Sequence, residues 1–253
     1  MTWSKTFTGA EPQRINKWLA GEGVCSRREA EDMIARGLVR IDGARVDDPG
    51  RKIEPGQTLV LADRGGPAPI TAVLNKPVGY VSAQPEAGQI PAARLLVKAN
   101  LVGETDNLPT KTTSLAPLGR LDQDSRGLLL LSEDGVLAKA VIGAESTLDK
   151  EYLVRVDGEI SEAKLGKLQH GLSLDGKVLK PAKVTREGAQ TLRFILREGR
   201  KRQIRRMCEL VGLDVVDLLR VRIGPLKLER LPEGKWRALT PAERETLVKA
   251  AKR

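Results

Sequence analysis

Four consecutive leucines, Leu128 to Leu131, stand out in a chain whose apolar residues otherwise recur every second or every third to fourth position. Bounded by Gly127 and by the polar stretch 132–135, such a run predicts a strand covered on both faces. In "KEYLVRVDG" the alternation of Tyr152, Val154 and Val156 gives a second strand, and "QTLRFILREG" and "DVVDLLRVRIGPLKL" supply more. The period changes in "RKRQIRRMCELVG", where Ile204, Met207, Cys208 and Val211 form an apolar stripe and Arg202, Arg205, Arg206 and Glu209 a polar one. Helices are also predicted at "SEDGVLAKAVIG", capped by Ser132, in part of "EAKLGKLQHGLSL", and at "TPAERETLVKAAKR", which starts at Thr240-Pro241.

Upstream the pattern describes a smaller module. Ile15, Trp18 and Leu19 have helical spacing, which "GEGV" ends. A second helix opens at Ser26, which with Glu29 makes a capping box, and stops at Gly37 after aligning Ala30, Met33 and Ile34. "LVRIDGARV" then alternates around Asp42-Gly43, a hairpin turn. The Gly- and Pro-rich "ADRGGPAP" separates this module from the rest, giving domains at 12–62 and 71–253 with a linker at 63–70. In the larger domain "ITAVLNKPVGYVSAQPE" reads as a strand broken at Lys76-Pro77 and Gly79, and 83–116 as a long loop with one helix at "AARLLVKAN". Strands outnumber helices and several are joined by turns, so the expected fold is α+β with a mixed, mainly antiparallel sheet.

Composition narrows the function classes. No apolar run reaches the roughly 18 to 20 residues needed to cross a bilayer, and "MTWSKTFTGAEPQ" lacks the apolar centre of a signal peptide, so the expected location is the cytoplasm. Two distant cysteines and a single histidine, His170, leave no zinc or disulfide framework; no metal is expected. No phosphate-binding glycine loop is present. The 43 Lys and Arg against 33 Asp and Glu give a net charge of +10, which favours a polyanionic partner. Residues 193–253 carry most of the surplus, with 17 basic and 8 acidic side chains.

The leucine run raises a chemical question, because the charged "GRLDQDSRG" leads straight into it. A carboxylate at the lip of a core strand is costly unless a cation reaches it, and Arg205 on the amphipathic helix could reach Asp122. Tyr152, at the start of its strand, could offer a ring on which a planar base stacks. Carboxylate, guanidinium and ring in a basic cleft suit a nucleotide.

"SRREAEDMIARGLVRIDG" resembles an S4 RNA-binding domain over residues 14–61. By that resemblance Arg14, Lys17, Arg27, Arg28 and Arg40 would meet RNA phosphates, helped by the helix N-terminus at Ser26. "LNKPVGYVS", "GRLDQDSRGLLLLSEDG", "KEYLV" and "EGRKRQIRRMCELVG" resemble, in that order, the RsuA-type family of ribosomal RNA pseudouridine synthases, and are most similar to its RluF-like branch acting on 23S ribosomal RNA. The resemblance covers nearly the whole chain, from Arg14 to about Lys249; the alternative readings are a synthase acting on 16S or transfer RNA, or an S4-type ribosome-assembly factor that binds RNA without catalysis. It implies that Asp122 is the catalytic aspartate, Tyr152 the active-site tyrosine beneath the target base, and Arg205 the arginine paired with the aspartate. Arg120 would fill the gap left by the flipped uridine, and Lys76, Arg202 and Arg206 would add RNA contacts. It also implies a monomer that needs no cofactor, with ribosomal RNA as its partner. Segment 84–117 is longer than the family pattern.

Overall fold

The computed structural model describes residues 2–63, 69–110 and 113–251. Most of the expected linker, residues 64–68, lies outside the described residues. The chain divides into two compact units, one of Met1–Pro69 with Asp134–Lys139, the other of Ile70–Glu133 with Ala140–Arg253.

In the first unit the helices Ile15–Gly21 and Arg27–Ala35 accompany a four-stranded antiparallel sheet. Its order is Trp3–Thr6, Thr58–Leu61, Val39–Ile41, Ala44–Arg45. The capping box forms as predicted: Glu29 N–H donates to Ser26 Oγ at 3.2 Å and Ser26 N–H to the Glu29 carboxylate at 2.6 Å. The hairpin turns at Asp42 and Gly43, both at positive φ (48° and 85°), the geometry for which an Asp-Gly pair is favoured. The compact unit extends upstream of the expected S4 boundary at residue 12. Trp3–Thr6 pairs along Thr58–Leu61, and Trp3 and Phe7 meet Trp18 edge-on at centroid distances of 5.8 and 5.3 Å.

The second unit is built on a nine-stranded sheet. Its main path runs Lys183–Gly188, Thr191–Leu196, Lys150–Asp157, Asp214–Ile223, Arg126–Ser132, Thr71–Lys76, Trp236–Ala238. Every pairing is antiparallel except that of Arg126–Ser132 with Asp214–Ile223. The leucine strand lies near the middle of this path, and Leu128 to Leu131 are at most 1% exposed. Leu129 and Leu131 pack with Leu74 and Trp236. On the other wing the helix Gln203–Leu210 lays Ile204, Met207 and Cys208 against Val154 and Phe194.

Two local expectations are corrected. The helix Gly135–Ile142 is not capped by Ser132, which ends the strand and is buried; the Asp134 carboxylate accepts the N–H groups of Val136 and Leu137, each at 2.9 Å. Segment "AARLLVKAN" forms two short 3-10 turns, Ala92–Leu95 and Lys98–Asn100, in place of an α-helix.

Candidate active site

Between Ala116–Pro117 and the leucine strand the chain makes a tight excursion through residues 118–125. Leu118 and Leu121 turn inward, 0% and 5% exposed, while Arg120 is exposed and Asp122 half-buried. The backbone closes on itself where Ser125 N–H donates to Asp122 O at 3.1 Å. Several side chains grip this excursion. Ser82, in "LNKPVGYVS", accepts from Leu121 N–H at 2.8 Å and donates to Leu121 O at 2.7 Å. Arg220 donates from Nη2 to Gly119 O at 2.8 Å and from Nε to Leu128 O at 2.7 Å. Gly79 N–H donates to Gln123 O at 2.8 Å. The charged turn therefore leads into the core because its apolar residues and its carbonyls belong there, while its ionic side chains stay at the lip.

That lip borders a cleft of about 440 Å³, within the ordinary range of ligand sites. Asp122, Tyr152, Arg120, Arg202 and Arg205 all line it. Nine cationic side chains and two carboxylates do so in total, a balance suited to an RNA backbone. Tyr152 is brought there by register: it pairs with Phe194 on one side and Arg220 on the other, beside an irregularity between Glu151 and Tyr152 that re-aims the strand.

Arg205 does not pair with Asp122 as expected. Its Nη2 donates to Asp124 O at 2.7 Å, its Nη1 to Val215 O at 3.1 Å, and its Nε lies 3.3 Å from the Asp124 carboxylate. Arg202 approaches the same carboxylate at 2.9 Å from a left-handed backbone position, φ 51°. Burial opposes charge on Asp124, but the hydrogen bond from Arg202 and the nearby charges of Arg205 and Arg202 outweigh it and hold the carboxyl below its usual range. Among the described residues no ion pair or side-chain hydrogen bond engages the Asp122 carboxylate. Arg205 thus secures the turn through the neighbouring aspartate, two residues along.

Other expected contacts are redistributed. Lys76 is not at the surface: it is 0% exposed, and its Nζ donates to Pro77 O at 2.8 Å and Tyr80 O at 2.7 Å. The strand Thr71–Lys76 is buried along its whole length, so a side chain at its end points into protein. Arg206 lies outside the cleft lining and is held by Asp175 at 2.7 and 3.0 Å. In the other unit Arg14, Lys17, Arg27 and Arg28 are exposed and form no ion pair among the described residues. Arg40 is exposed too, donating to Gly43 O at 3.0 Å, while Ser26 is occupied with its own helix. Sequence reasoning missed Arg220, Ser82 and Lys150. Lys150 lines the cleft, and burial first, then the Arg220 charge, lowers its pKa from the ordinary lysine value.

A basic cleft of this kind suits an enzyme that acts on RNA, and the comparisons with known proteins give the class. Residues 13–59 match the S4 domain and residues 70–210 match the RNA pseudouridylate synthase family. The chain belongs to the RNA pseudouridine synthases, in the RsuA-type family. It is 36% identical to the dual-specificity RNA pseudouridine synthase RluF of Escherichia coli strain K12, over 93% of this chain and 78% of that protein. It is 33% identical to the ribosomal large subunit pseudouridine synthase B of Bacillus subtilis, over 91% and 93%. A crystal structure of a pseudouridylate synthase superposes with a TM-score of 0.64 at 26% identity, covering 94% of this chain and all of that one. The protein is therefore an enzyme acting on RNA.

Proposed function

We propose that the protein converts a specific uridine of 23S ribosomal RNA to pseudouridine, with Asp122 as the catalytic carboxylate. Uridine in a stacked helix hides its glycosidic bond, so it must leave the stack at a cost of a few kcal/mol. Arg120, exposed on the rim, enters the vacated space and offsets part of that cost. The extruded base rests on the Tyr152 ring, with the Asp122 carboxylate facing the ribose. The C1′–N1 bond breaks, the uracil turns, the C1′–C5 bond forms, and the proton lost from C5 is balanced by one gained at N1. Atoms and electrons are conserved, so the step itself calls for no redox or group-transfer partner. Arg205 serves by fixing the Asp122–Ser125 turn. The exposed cations of the S4 domain supply phosphate contacts that carry affinity without sequence preference.

The observation that carries this reading is that the Asp122 carboxylate, in a cleft lined by nine cationic side chains, has no ion pair or side-chain hydrogen bond among the described residues. Asp122→Asn should abolish tritium release from RNA labelled at uridine C5 while leaving RNA affinity within about tenfold, because affinity resides in phosphate contacts. Full activity in that variant refutes the role. The target is tested by mapping pseudouridines in 23S, 16S and transfer RNA from cells lacking the protein. The three fractions are needed because one relative is named as dual-specificity. Loss confined to 23S supports the proposal; loss only elsewhere overturns the target and spares the chemistry.

A further inference from the structure

We propose that Arg220 and Ser82 are positioning residues that set the catalytic turn from its two sides, and that the chemical step depends on both. Arg220 is 1% exposed, yet it forms no ion pair among the described residues. Burying a cation without a counterion costs several kcal/mol, and an apolar side chain would ordinarily serve a core better. What the guanidinium does have is three carbonyls: Leu128 O at 2.7 Å, Gly119 O at 2.8 Å and, at the limit of a hydrogen bond, Arg120 O at 3.5 Å. The first belongs to the leucine strand; the other two open the turn that carries Arg120 and Asp122. A rigid planar fork meets the two pieces with donors on separate nitrogens in fixed directions, a spread that the single nitrogen of an ammonium does not reproduce.

Ser82 completes the arrangement. Ser82 is 6% exposed, and its hydroxyl both donates to and accepts from Leu121, the residue immediately before Asp122. Residues 119, 120 and 121 are thus each held through the backbone, and Asp122 follows directly. The strands leave room for this. Gly127 lies opposite Arg220 in the parallel pairing of Arg126–Ser132 with Asp214–Ile223, and a Cβ there would fall 2.4 Å from Arg220 O. Gly119, whose carbonyl Arg220 holds, has a φ of 88°, a conformation that favours glycine. A misplacement of about 1 Å at a reacting group costs roughly 100-fold in rate, so a loosened turn should show in the chemical step.

The inference rests on Asp122 being the catalytic carboxylate, and the experiment keeps the two apart. Full-length protein is assayed under single turnover, with saturating enzyme in excess over C5-tritiated RNA, so that the first-order rate constant does not depend on the fraction folded. Ser82→Ala and Arg220→Lys should each slow tritium release by about 10- to 100-fold, with the enzyme concentration for half-saturation shifted by less than about threefold, since phosphate contacts are untouched. A merely structural role would lower the melting temperature and leave the rate constant unchanged, which overturns the proposal. If Arg220→Lys yields no folded protein, Ser82→Ala decides alone. If Asp122→Asn stays active, the reading of the site has failed; if Asp122→Asn is dead while both other variants keep full rate, only this inference has.

Discussion

Lys76 offers a quantitative test of how this site is built, because its ammonium is wholly enclosed. Burial lowers its pKa from 10.5 to about 8; the charges of Asp124 and Asp122 partly oppose that fall and Arg220 adds to it. Below about pH 8 both the native and the unfolded protein hold the proton, and the native state bears the whole cost of the buried charge. Between about 8 and 10.5 the native state has released the proton while the unfolded chain still holds it, so stability contributed at this residue rises with pH across that window. A displacement of that size corresponds to about 3 kcal/mol when fully expressed. The perturbation is Lys76→Met, which removes the titration and keeps an unbranched side chain of similar length. With Trp3 and Trp18 changed to Phe in both proteins, Trp236 is the only remaining tryptophan and reports on the unit that holds Lys76. Urea unfolding from pH 7.5 to 10 should show the parent gaining about 2 to 3 kcal/mol relative to Lys76→Met. Other titrating groups are common to both proteins and cancel. A difference that stays level across the range, or falls, refutes the placement of Lys76 as a buried cation.

Two further outcomes follow from the same coordinates. Gly127→Ala puts a Cβ 2.4 Å from Arg220 O at a φ of 107°, combining backbone strain with overpacking, so urea titration should record a loss of about 2 to 5 kcal/mol; a change under about 1 kcal/mol would mean the two strands are not this close. Ser26→Ala removes the acceptor for Glu29 N–H at the head of Arg27–Ala35 and should cost about 1 kcal/mol, read from the Trp18 fluorescence transition of the smaller unit. No loss there would show that the capping box does not stabilise the folded state.

What the sequence made legible was local. The capping box at Ser26 and Glu29, the Asp42-Gly43 turn and the four-leucine strand each depend on neighbours within a few residues, and each formed as read. The errors lie where two residues of similar chemistry competed for one tertiary partner. Ser132 and Asp134 can both cap a helix, and the difference is that the strand runs through Ser132 and uses it. Asp122 and Asp124 can both attract Arg205, but the turn presents the second to the Gln203–Leu210 helix, and that choice depends on strand pairings far away in sequence. Lys76 and Arg220 were illegible for a related reason. A basic residue within or at the end of a strand reads as solvated, and only the register reveals that carbonyls, not water, receive its protons.

The corrected pairing makes better chemical sense than the expected one. On the role proposed for Asp122, an ion pair with Arg205 would occupy part of the carboxylate that substrate has to meet. With Arg205 and Arg202 committed to Asp124, the turn is fixed by one aspartate and the other remains available to substrate. Division of labour between two carboxylates in one turn then explains why so charged a segment can open directly onto a core strand. Its second acid, gripped by Arg202 and Arg205, holds the turn, and the acid left over lines the cleft.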